Sequence, residues 1–134
     1  GDPRMTILVA YVPRPEGRAA LDKGIEIATR RNERLVVINA GPGGRQEDPN
    51  IVNGYEVERV EERLATLPIK AEFRQFVRGK SAIDEIEELV AALQVSVLVI
   101  GLRKRSPVGK LLLGSMAQEI LMNVDCPVLC VKAS

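Results

Sequence analysis

"VLVIGLRKRSPVGKLLLGSMAQEIL", residues 97–121, decides how this chain folds. Its apolar start belongs to the run "SVLVIG" (96–101), which has no polar alternation after Ser96. Such a run suits a strand covered on both faces, as the central strands of parallel sheets are. Four basic residues follow, Arg103, Lys104, Arg105 and Lys110. Gly114 and Ser115 then lead into "SMAQEILMN" (115–123), which reads as a short helix. A buried strand, a basic loop and a helix make half of a β-α-β unit.

The same alternation runs outward in both directions. "MTILVAYV" (5–12) reads as the first strand. In "EGRAALDKGIEIATRR" (16–31), Ala20, Leu21, Gly24, Ile25 and Ala28 share a helical face. "RLVVINA" (34–40) is a second buried strand, and "GPGGRQEDPN" (41–50) is loop chemistry throughout. Val57, Val60, Leu64 and Leu67 trace a second helix, with a charged outer face at residues 58–63. "IKAEFRQFV" (69–77) opens with half-exposed alternation, and "SAIDEIEELVAALQ" (81–94) is a helix with a polar, acidic first turn. "PVLCVK" (127–132) is the last strand. The reading is an α/β fold: a single doubly wound five-stranded parallel sheet in flavodoxin-like order 3-2-1-4-5, with helices on both faces. It is expected to span residues 5–134, with "GDPR" (1–4) looking like an expression scar or a ragged start. Ligands of such sheets bind beyond the carboxyl ends of the strands where the order reverses. Here that point lies between Tyr11-Val12 and Ile100-Gly101.

Composition narrows the function. A chain of 134 residues with 46% hydrophobic and 28% charged residues supports one folded core. A net charge of +1 gives no global attraction to nucleic acid or anionic membranes, and 3% aromatics leave few stacking platforms for single strands. No apolar run approaches a membrane span and no signal-peptide pattern opens the chain, so a cytoplasmic location is expected. Histidine is absent, which removes His-based triads and most zinc sites. Cys126 and Cys130 would lie about 13 Å apart along one strand, too far for a disulfide. They read as small core or interface hydrophobes.

The loop invites a phosphate reading, with one decoy. "VGKLL" suggests a Walker A motif, but Lys104 stands five residues before Gly109 and Leu111 follows Lys110, so the motif fails. The remaining physics still favours an anion. Gly101 admits close approach, "SPVG" (106–109) is turn chemistry, and the free N–H groups of Ser115, Met116 and Ala117 would face the switch point beside the basic residues. The plainer reading of the same residues is a capping box, Ser115 with Gln118, beside a solvated basic loop. Arg14 and Arg18 read as solvated surface side chains, with phosphate or an acidic partner as the other reading.

From "ILVAYV" to "CPVLCVK" the chain resembles the universal stress protein family. Nucleotide-binding members carry G-x2-G-x9-G-[ST] after the fourth strand. Gly101, Gly114 and Ser115 match at the required spacing, and Lys104 stands at the second glycine. The resemblance implies a flavodoxin-like domain that binds ATP or another adenine nucleotide, with Mg2+ as a conceivable companion ion. It implies adenine near Ala10, Val12 and Ala40 with Ile100 beneath, and Gly101 near the ribose. Phosphates would meet Arg103, Lys104, Gly114, Ser115, Met116 and Ala117. Val12 stands where the family's A-V-D-G-S-like turn has Asp, and Ala117 where a hydroxyl is frequent.

The last strand is apolar on both faces, which at a sheet edge calls for a cover. Antiparallel pairing with a second copy would close a homodimer through Val128, Leu129, Cys130 and Val131, as the resemblance also implies. The function expected is a cytoplasmic stress-response sensor or regulator that binds an adenine nucleotide, with at most weak ATP hydrolysis and no catalytic group identified. The alternative is a nucleotide-free interaction module with a degenerate pocket. No nucleic acid, membrane or protein-held metal enters either reading.

Overall fold

Ile7, Leu8 and Val9 are fully buried although their side chains point to alternate faces, so the first strand is covered on both sides. The computed structural model describes residues 4–40, 54–76, 81–105, 110–112 and 115–133. In chain order the elements are β1 (Thr6–Ala10), α1 (Pro15–Arg31), β2 (Arg34–Ala40), α2 (Gly54–Ala65), β3 (Ala71–Phe76), α3 (Ala82–Ala92), β4 (Val95–Arg105), β5 (Lys110–Leu112), α4 (Ser115–Asn123) and β6 (Val128–Lys132). β3, β2, β1, β4 and β6 lie side by side and pair in parallel. This is the five-stranded 3-2-1-4-5 sheet read from the sequence, with β6 as its fifth strand.

The pleat sorts the core into two layers. Ile7, Val9, Leu35, Val37 and Val99 pack under α1 and α2 with Ala20, Leu21, Val60 and Leu64. Leu8, Val36, Ile38, Leu98 and Ile100 pack under α3 and α4 with Ile86, Leu89, Ala117 and Ile120. Helices that run from β1 to β2 and from β2 to β3 therefore share one face. Those that lead back through β4 to β6 share the other, as right-handed crossovers in opposite directions require.

Local chemistry sets the ends. Pro15 starts α1, where a missing N–H costs nothing. Asn32 ends α1 in the left-handed region at φ 53°, and its N–H returns to the last turn. Ser81 caps α3 by accepting from the Asp84 N–H at 3.2 Å, as the acidic first turn led one to expect.

One segment departs from the sequence reading. β4 continues past Gly101 to Arg105, and Arg103–Arg105 pair antiparallel with Lys110–Leu112. The basic stretch thus starts as a hairpin, with backbone bonds that a reading of it as loop omitted. The turn read at residues 106–109 lies outside the described residues.

Candidate functional site

β1 and β4 are paired neighbours, Val9 opposite Val99, so their carboxyl ends meet at the sheet's switch point. β1 is followed by a buried tyrosine. The Tyr11 ring is 2% exposed and sits edge-on to Phe73 at 6.3 Å. Its hydroxyl donates to Glu56 Oε1 at 2.6 Å, and Arg18 lies 3.8 Å from the same carboxylate oxygen. Burial first, and then the Glu56 carboxylate, push the phenol above its ordinary range. Tyr11 is therefore neutral, a donor fixed between the sheet and α2.

Asn39 fixes the backbone at the same place. It is fully buried near the end of β2, and its Nδ2 donates to the Tyr11 carbonyl at 2.8 Å. Gln75 of β3 donates to Asn39 Oδ1 at 3.3 Å. This chain of bonds ties the ends of β3, β2 and β1 together, and buried polar groups need such partners.

The other wall is built by α1 pressing on β4. A Cβ placed on Gly101 would fall inside the Glu16 carbonyl group, and one on Gly17 inside the Val12 carbonyl. The first turn of α1 therefore lies directly against the end of β4 and the turn after β1. The sequence suggests room for a ligand at Gly101, but on this side of the strand Gly101 meets the Glu16 backbone. Glu16 then reaches Arg103: Arg103 Nε donates to Glu16 Oε2 at 3.2 Å. The Glu16 side chain is 13% exposed and that of Arg103 45%.

The sequence-derived residues fall as follows. Ala10, Val12, Ile100 and Gly101 come together at the paired ends of β1 and β4, Ile100 within the core. Ala40 is the last residue of β2, opposite Phe76. Lys104 lies in β4 opposite Leu111, and Arg103 is opposite Leu112, three residues before Ser115 opens α4. The hairpin thus carries the chain from the switch point back to the amino end of a helix. Met116 is half-buried and Ala117 is core, so what they can offer a ligand is backbone. Gly114 lies outside the described residues. Val128, Leu129, Cys130 and Val131 form β6, which pairs with β4 and has Leu129 36% exposed.

The sequence reading has Tyr11 at the switch point without a role for its side chain, and it lacks Asn39, Glu56 and Glu16 as members of this region. Asn39 had a signal, being the polar residue in an otherwise apolar strand apart from its first Arg. Glu56 and Glu16 had none, because their partners lie 45 and 87 residues away. A cleft of about 410 Å³ lined by residues 32–34 and 67–70 lies at the opposite end of the sheet, at the amino ends of β2 and β3. Among the described residues no group of three acids, cysteines or histidines is placed to hold a metal. No described helix is long and apolar enough to cross a membrane.

A doubly wound sheet with this order, its fourth strand followed by a hairpin and a helix, defines an α/β domain of the flavodoxin-like kind. The family model of the universal stress protein family matches residues 3–132, and the chain belongs to that family. A universal stress protein of Mycolicibacterium smegmatis is 45% identical over 129 residues, covering 94% of this chain and 96% of the relative. A solved universal stress protein from Archaeoglobus fulgidus superposes with a TM-score of 0.75 at 26% identity, covering 95% of this chain and 97% of the other. A universal stress protein from the same organism, solved in complex with dAMP, has a TM-score of 0.71 at 21% identity, covering 95% and 96%.

Proposed function

We propose that this chain binds an adenine nucleotide, ATP by the match to the family's loop pattern, at the crevice between the ends of β1 and β4. The observation that carries the proposal is the path of the chain there. β4 and its hairpin lead from Gly101 to Ser115 at the start of α4, whose first N–H groups have no partner within the helix. Arg103, Lys104 and Gly114-Ser115 would serve the phosphates, and Ala10, Val12 and Ala40 the base. That a protein of the same fold is known with dAMP supports a ligand of this size.

The protein acts as a stress-response sensor or regulator in the cytoplasm, as a homodimer joined through β6, and not chiefly as an enzyme. The donor set does not fit a protein-held Mg2+, because Val12 stands at the acid position and Glu16 is engaged by Arg103. An accompanying ion would be held through the phosphates of the ligand.

The same two features favour a second reading, an interaction module that binds no nucleotide. Denaturing the purified protein and identifying released nucleotide by mass spectrometry separates the two. Calorimetric titration of wild type and Gly114→Asp with ATP completes the test. Stoichiometric adenine nucleotide, lost in the variant, supports the first reading. No nucleotide and no heat up to millimolar ATP supports the second.

A further inference from the structure

Arg103 sits two residues beyond Gly101 on the strand that walls the crevice, and its charge is already engaged. The partner, Glu16, belongs to the first turn of α1. Its backbone lies directly against Gly101. Its carboxylate is mostly buried, while the guanidinium of Arg103 is nearly half exposed. The basic group is thus open to a ligand from one side and held by a carboxylate from the other. A carboxylate and a phosphate present the same charge sign and the same acceptor oxygens to guanidinium N–H groups. Only one of them can take the Nε donor that Glu16 now accepts from.

We propose that Glu16 is a specificity-determining residue of the crevice: its carboxylate competes with a ligand phosphate for Arg103. This rests on the nucleotide reading above and concerns how strongly a phosphorylated ligand is favoured over an unphosphorylated one. A nucleoside without phosphate does not contest Arg103 and is indifferent to Glu16. A nucleotide must displace the carboxylate or accept its repulsion. Glu16 therefore narrows the preference for phosphorylated over unphosphorylated ligands, and removing its charge widens that preference.

The test is calorimetric titration with adenosine, AMP and ATP of wild type, Glu16→Gln, Arg103→Ala and the double variant. Gln keeps the size of the side chain, so the packing on Gly101 is retained. Glu16→Gln is expected to tighten AMP and ATP by about threefold or more, the scale of a partly exposed ion pair. Adenosine affinity should stay within about twofold, and the gain should vanish when Arg103 is also replaced. Should Glu16→Gln fail to fold, Glu16→Asp keeps the charge but shortens its reach, and a smaller tightening for AMP is expected. Equal AMP affinity in wild type and the Glu16 variant overturns the inference and leaves the nucleotide reading standing. A gain that persists without Arg103, or that adenosine shares, overturns it as well. No binding of any of the three ligands by any variant overturns the nucleotide reading and the inference with it. Binding of AMP by Glu16→Gln alone, with wild type silent, supports both.

Discussion

The side-chain amide of Asn39 holds the carbonyl of Tyr11 at 2.8 Å, across 28 residues of sequence and wholly inside the protein. It is a strut between two strand ends, placed where β1 leaves the sheet. Asn39→Leu would leave the Tyr11 carbonyl without this donor and deprive Gln75 of an acceptor. The expected loss is about 1–3 kcal/mol of stability, the cost of leaving buried polar groups unsatisfied. Urea unfolding of wild type and variant measures it. A change below about 0.5 kcal/mol would show that water replaces the amide.

Gly101 gives a second test. Adding one methyl group there drives it into the Glu16 carbonyl. Gly101→Ala should cost about 1–3 kcal/mol by overpacking, with no ligand present. A melting temperature within a degree of wild type would mean that the first turn of α1 yields readily, and would weaken the packing account of this glycine.

Leu129 lies on β6, which pairs with β4 among the described strands, and it keeps 36% of its surface exposed. Leu129→Glu should convert a dimer to monomers or to insoluble protein, because a charge cannot be buried at a strand-to-strand contact without cost. Light scattering reads the outcome directly. A dimer unchanged in mass would remove β6 from the interface.

The thiols supply a pH dependence. Burial raises the Cys126 and Cys130 thiols above their ordinary value, so both stay protonated longer in the folded chain than in the unfolded one. Above about pH 8.5 the unfolded state then holds fewer protons than the native state, and stability falls as pH rises until the native thiols also ionise. Replacing both cysteines by Ala should flatten this part of the profile in denaturant titrations between pH 7 and 10. Alkylation by iodoacetamide at pH 8 should be slow in the native protein and fast in urea. Native rates equal to the denatured ones would show that the burial does not persist in solution.

Much of the fold is legible in the sequence because the central strands announce their surroundings. "RLVVINA" and "VLVI" are apolar without alternation, and both proved to be covered on two faces. The extension of β4 and the three-residue β5 are not legible there, since Arg103–Arg105 and Lys110–Leu112 are made strand-like only by pairing with each other. The spacing from Gly101 to Ser115 is local, and a local pattern of that kind can be read from the sequence. Contacts between distant residues cannot: Glu16 meets Arg103, and Tyr11 meets Glu56, only after the chain has wound the sheet. Local patterns carry the backbone's course, while ion pairs between distant turns depend on how the layers settle.

The strand order also governs the order of events on the ribosome. β1 finds β2 through a single helix, but its other neighbour arrives with Val99, which pairs with Val9 across 90 residues of chain. At about 5–20 residues per second, the open side of β1 waits roughly 5–18 seconds for its partner. Through that interval a strand whose Ile7, Leu8 and Val9 are fully buried in the finished fold is an unpaired edge, the kind of surface that aggregates. A nascent chain stalled before β4 is thus the form of this protein most in need of a chaperone.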